Sequence, residues 1–260
     1  CAHGFGGTYR GRKNGTLADA SFFSTQWNKP FSTGLGGIAV APNAAIAARL
    51  SEIEARAEAP TRRETAALSA LLRVRRLFAR PEAFAVAATG YRALTRLGVV
   101  IGSSEPSETS GAARPEGFLK GMSEVQARAG LAALPRLDEA NRHRRSIAAL
   151  YDEALDGLGL RPPAAPRHAL HTYLKYPLRV RERDRLLERA ASSGIALSDW
   201  FCSPVHPVRS GWERWEYATG SNPVAEEQSR RIVNLPTQPG VSPGYARRVV
   251  AFLRKHRDWL

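Results

Sequence analysis

The chain has 260 residues, 43% hydrophobic and 24% charged. That is an ordinary globular composition, which excludes disorder, collagen-like and coiled-coil architectures and leaves room for one large domain or two small ones. No stretch approaches about 18 apolar residues free of charge, and the first residues lack the basic-then-apolar layout of a secretory signal, so a cytoplasmic chain without membrane contact is expected. The net charge of +14 points first to nucleic acid, but only five of the 38 basic residues are lysines (Lys13, Lys29, Lys120, Lys175, Lys255). The arginines are scattered along helical segments, many beside Asp or Glu at helix-pair spacing, as on a solvated surface. No zinc finger, RNP-type aromatic pattern or basic zipper accompanies them, so nucleic acid is not the expected partner. An anionic small substrate would gain from the same field. Cys1 and Cys202 form no disulfide framework and no zinc-spaced cluster, and no metal is expected. A first residue of Cys rather than Met reads as the later part of something longer.

From Cys1 to about Asn43 the sequence is Gly-rich, with apolar runs at 20–24 and 37–41 of the size of buried strands in an α/β sheet. From Ala44 to Leu97 the pattern is helical. Ile46, Leu50 and Ile53 recur at helical spacing, Pro60 interrupts, and Thr61 is a candidate N-cap for a run through Leu68, Leu71, Leu72 and Val74. Residues 103–115, rich in Ser, Glu, Pro and Gly, read as a loop and a hinge between domains. Ser123 and Gln126 form a capping-box pattern opening the longest helix, which runs towards Leu155 and is kinked or broken at Pro135. Then follow a strand at 173–180, a helix at 183–192, a strand at 195–201, a helix at 223–230, a strand at 232–235 and a closing helix from Ser242 to about His256. This alternation suggests a small α/β or α+β domain.

The most informative stretch is 24–37, which places Lys29 in a polar, Gly-rich loop between two apolar strands. Partial desolvation of a lysine lowers its pKa and makes it a better nucleophile towards a carbonyl, the requirement for Schiff-base catalysis. Pro30 biases Lys29 towards extended backbone, and Gly34, Gly36 and Gly37 permit close approach to a ligand. Local chemistry alone favours a surface turn lysine over that reading.

The spacing of Ser24, Lys29, Gly34 and Gly36-Gly37 before an apolar strand resembles the lysine motif of the DegT/DnrJ/StrS family of pyridoxal-phosphate (PLP) sugar aminotransferases. Upstream, Cys1-Ala2-His3-Gly4 with Tyr9 to Lys13 and Gly15 resembles the family's Glu-Asp-x-Ala-Gln/His element and the Gly stretch after it. Downstream, Gly117-Phe118 with Met122 to Ala127 resembles its Met-Ser-x-x-Gln-Ala helix start, and 203–206, 223–226 and 233–237 resemble its C-terminal signatures. The resemblance spans the chain apart from a longer helical stretch at about 44–115.

The resemblance implies an α/β fold-type-I PLP-dependent transferase, aspartate-aminotransferase-like. Residues 1–118 would be the C-terminal part of the large PLP-binding domain with a helical insertion, and 119–260 the small C-terminal α/β domain. Lys29 would be the catalytic Schiff-base lysine and proton-moving base, Ser24 a phosphate ligand, and His3 a contact of the pyridoxal ring or its 3′-oxygen. Trp27 and His206 would line the substrate pocket. The implied partners are an amino-acid donor, glutamate or glutamine, a keto-sugar that is nucleotide-linked, and a second copy in a homodimer. A lysine at this position favours amino transfer over the sugar dehydration of a related branch, which has His there.

Departures from the family's pattern accompany the likeness. The aspartate that pairs with the pyridinium nitrogen sits, in the family, immediately before the position of Cys1. Leu119 stands in place of an asparagine that reaches the neighbouring subunit's phosphate, Gly121 in place of an arginine, and Leu35 in place of the Glu of Gly-Glu-Gly-Gly. Two rival readings are a non-catalytic remnant or regulatory member of the same fold, and a nucleic-acid binder driven by charge.

Overall fold

The computed structural model describes residues 1–77, Gly90 and 117–260. The later part of the predicted helical insertion and the predicted hinge at 103–115 lie outside the described residues.

Strands β1 (Thr8–Tyr9) and β2 (Arg12–Lys13) form a hairpin that pairs, through β1, with β5 (Ala169–Leu170), so the first residues are tied to a segment far along the chain. Strands β3 (Ser21–Ser24) and β4 (Gly37–Val40) are antiparallel, with Ser24 opposite Gly37. They flank the loop that carries Lys29. The sequence reading made both strands buried, and here it needs correction. Phe23 is buried, but Phe22 is 69% exposed and Ala39 and Val40 are exposed too. Among the described residues these two strands pair only with each other, so alternation turns one face of the hairpin outward.

Helix α1 (Ala44–Ala55) starts where the side chain of Asn43 accepts the amides of Ala45 and Ile46. Helix α2 (Arg62–Leu77) starts at Thr61, in a reciprocal box with Glu64. Between them Glu58 takes the backbone of Leu119 and Gly121 as a short parallel bridge. Helix α3 (Glu124–Ala133) opens on the Ser123–Gln126 capping box, and a 3₁₀ turn around Pro135 separates it from the 20-residue α4 (Leu137–Asp156). The predicted break at Pro135 therefore falls where a proline's missing N–H would interrupt the ladder.

Beyond α4 the chain builds one apolar core. Strand β6 (Tyr176–Arg179) pairs with β7 (Ile232–Leu235), and α5 (Arg183–Ser192), α6 (Pro223–Arg231) and α7 (Pro243–Lys255) complete it. Ile147, Tyr151, Leu155, Tyr176, Leu178, Leu186, Val233, Leu235, Val249 and Leu253 fill this core. The strand predicted at 195–201 is instead irregular, joined to the backbone of β7 by a two-way bond between Ser198 and Asn234. Its edge is occupied by side chains: the Tyr245 hydroxyl takes the amide of Ala196, and Asn234 Oδ1 takes that of Trp200.

Tyr151 is fully buried, and its hydroxyl donates to the carbonyl of Pro236 at 2.9 Å, joining α4 to the end of β7. Tyr151→Phe would strand that carbonyl, and we expect a loss of about 1 to 2 kcal/mol, read as a lower midpoint in urea at unchanged slope.

Candidate functional site

The loop after β3 is clasped at its base. Thr25 is fully buried and Thr33 nearly so, their hydroxyls are 2.8 Å apart, and Thr33 N donates to Thr25 O. The carbonyl of Leu35 is an acceptor at the base of the loop. It accepts from the hydroxyl of Thr33 and from Gln126 Nε2 of α3. Gly34 sits at φ +96, where a Cβ would meet Leu68 Cδ1 at 2.8 Å and Trp27 Cη2 at 3.0 Å, so only glycine lets the loop close on Trp27 and α2. Phe31 is buried beside Phe5 and Gly130. This clasp fixes where Lys29 can reach.

The first residues are anchored separately. Thr172 donates to the carbonyl of His3, and Asn14 Nδ2 donates to that of Gly4. His3 and Lys29 meet with Nζ 3.0 Å from Nε2. Burial, with the charges of Lys29 and Lys175 adding to it, lowers the pKa of His3 to about 4. The imidazole is therefore neutral at pH 7 and free to accept a hydrogen from Lys29. Burial also lowers the pKa of Lys29 itself, which enriches the nucleophilic free amine.

Both groups sit beside Trp200, with the His3 ring stacked on the indole at 5.3 Å between centroids and Lys29 Nζ 5.1 Å from the ring centre. A cleft of about 850 Å³ opens there, lined by His3, Tyr9, Lys175, Trp200, His206 and Asn234 among others. His206 Nδ1 lies 3.2 Å from both the amide and the thiol of Cys202, and its ring is T-shaped to Phe201. Among the described residues there is no group of three or more His, Cys, Asp or Glu side chains that could hold a metal ion.

The structure thus brings His3 and Lys29 together and puts His206 in the wall of the adjoining cleft. Ser24 ends β3, its hydroxyl 3.5 Å from the amide of Gln26. Trp27 packs towards Gly34 and Leu68 and is not among the cleft's lining residues. Sequence reasoning missed Trp200 and Lys175. A lysine inside the otherwise apolar run from Tyr173 to Leu178 was the available signal for the second.

The chain has the α/β fold of fold-type-I PLP-dependent transferases. A sugar aminotransferase of Streptococcus pneumoniae, Spr1654, described as putative and solved in its PLP form, superimposes with a TM-score of 0.66 at 19% identity over 100% of this chain and 57% of its own. The profile of the DegT/DnrJ/EryC1/StrS aminotransferase family matches residues 1–74 and 86–254, and the chain belongs to that family. GDP-perosamine synthase of Caulobacter vibrioides is 26% identical over 97% of this chain and 56% of its own length. The L-glutamine:2-deoxy-scyllo-inosose aminotransferase of Streptomyces fradiae is 32% identical over 90% and 52%. The chain spans about half the length of the curated relatives it matches.

An NMR titration of the histidine ring protons should show His3 neutral down to about pH 4, with Lys29→Met moving its pKa back up. The unfolded chain takes up a proton near 6.5 that the folded chain refuses until about 4. The stability linked to His3 is therefore complete above pH 6.5, falls as pH drops through that window and levels off below it.

Proposed function

We propose that this chain carries the lysine-bearing part of a PLP-dependent aminotransferase that moves an amino group from glutamate or glutamine to a keto-sugar. The observation that carries the reading is the contact of Lys29 with a neutral His3 at the edge of a small-molecule-sized cleft. Two of the expected donors meet in a way that suits the cofactor, a desolvated primary amine for its aldehyde and a flat uncharged imidazole for its ring or 3′-oxygen, and the Ser24 hydroxyl at the end of β3, outside the cleft lining, would be its phosphate ligand. When bound, PLP supplies an electron sink for the carbon next to the migrating nitrogen.

The protein's own residues do the remaining work. Lys29 Nζ would hold the aldehyde and, as a free amine, take a proton from a substrate carbon, a role that needs a pKa below that of ordinary lysine. His3 Nε2 accepts one hydrogen of that amine and so fixes its direction without adding charge. His206 is proposed as a substrate-pocket residue from its place in the cleft wall, while Trp27, outside that lining and against Gly34, would brace the loop that carries Lys29. Residues 1–118 would belong to the large domain and 119–260 to the small one. The names of the relatives favour a keto-sugar or keto-cyclitol acceptor, nucleotide-linked as in GDP-perosamine. A cytoplasmic homodimer is the proposed assembly. Among the described residues no helix is long and apolar enough to cross a membrane.

Incubation with PLP, borohydride reduction and peptide mass spectrometry should place one stoichiometric pyridoxyl adduct on Lys29. Lys29→Ala should abolish it, while the folded-state circular dichroism is kept. Labelling spread over the five lysines, or none, would count against the proposal and favour a non-catalytic member of the fold.

A further inference from the structure

The cleft is lined by an amine, that of Lys175, which the lysine motif does not account for. Alternation along β6 sends Tyr176 and Leu178 into the core and turns Lys175 and Pro177 to the other face, where both line the cleft. Lys175 Nζ is 3.0 Å from Ser198 Oγ and 4.5 Å from the centre of the Trp200 ring, the same indole that Lys29 approaches.

No ion pair of Lys175 occurs among the described residues. Its electrostatic neighbours are Asp199, Lys29, His3 and His206. The Asp199 carboxylate, which favours the ammonium, is itself ion-paired with Arg209, and both imidazoles have lowered pKa values, so no anion among the described residues is committed to Lys175 alone. Burial lowers the Lys175 pKa to about 8, which still leaves it mostly protonated at pH 7.

A partly buried cation that faces a cleft and shares the Asp199 carboxylate with an arginine is costly to keep. One of its three hydrogens goes to Ser198, which leaves others for a ligand. We infer that Lys175 is a substrate-binding residue that takes an oxyanion group in this cleft, either the diphosphate of a nucleotide-linked acceptor or the carboxylate of the amino donor. The inference rests on the amino-transfer reading for its two ligand sources.

Titration calorimetry of the purified chain with inorganic pyrophosphate and, separately, with L-glutamate tests it. Lys175→Gln should weaken one of the two by on the order of 10-fold or more, and Lys175→Arg should retain that binding. A loss confined to pyrophosphate identifies the diphosphate, and one confined to glutamate identifies the carboxylate. Equal affinity in wild type and Lys175→Gln, or no binding of either probe, overturns the inference. Should Lys175→Gln fail to fold, acetylation of the wild type mapped by mass spectrometry decides the matter. Lys175 must then be protected by one probe relative to chloride at equal ionic strength, and lack of protection overturns the inference. Pyridoxyl labelling of Lys29 in the wild type reads the amino-transfer proposal independently, so either can fail while the other stands.

Discussion

Three basic side chains gather around one indole. Lys29, His3 and Lys175 all contact or approach Trp200, and the Asp199 carboxylate that acts on Lys175 is also engaged by Arg209. Burial disfavours the protonated form of each of the three, and like charge adds to it at His3 and Lys175. The proton lost first is the imidazole's, and the amines follow with lowered pKa values of their own. Much else in the fold serves to hold this arrangement. The Thr25–Thr33 clasp delivers Lys29, the bond from Thr172 to the carbonyl of His3 delivers the imidazole, and the pairing of β6 with β7 delivers Lys175.

These anchors also join distant parts of the sequence. β1 pairs with β5, Asn141 Nδ2 donates to the carbonyl of Phe5, and Gln126 bonds Leu35. Each is a polar link between the first residues and the segment after residue 117, while the main apolar core lies wholly between Ile147 and Leu260. The cleft is therefore framed by hydrogen bonds on one side and by a packed core on the other. Hydrogen bonds of this kind specify geometry and contribute less net free energy than apolar burial of similar extent.

The elements that were legible in the sequence are those with a local chemical signature. The capping box at Ser123 and Gln126, the stop at Pro135, the start at Thr61 and the Pro-led helix at Pro223 each lie where a side chain or a missing amide decides the backbone. What stayed hidden depends on partners far along the chain. Two-residue strands such as β1 and β5 have no period to detect, and the segment 195–201 looks like a strand until Tyr245 and Asn234 occupy its edge. The same division runs through the site. Lys29, Ser24 and His3 were accessible through motif spacing, whereas Trp200 and Lys175 are made neighbours of Lys29 only by the packing of β6 and the following loop.

The departures from the family's pattern fall differently once the backbone is considered. Leu35 replaces a glutamate, yet its carbonyl is the acceptor on which the loop closes, so any residue able to adopt that backbone preserves the clasp. Gly121 replaces an arginine, and its amide, with the carbonyl of Leu119, serves the bridge to Glu58. Both positions keep a backbone task while giving up a charged side chain. Lys175 is a cation that lines the cleft, and on the inference drawn above its ammonium would recognise an oxyanion as a compact point charge rather than through the bidentate fork of an arginine. A substrate pocket built that way would hold its anion through one ammonium oriented by the hydroxyl of Ser198, with the indole of Trp200 excluding water from the contact.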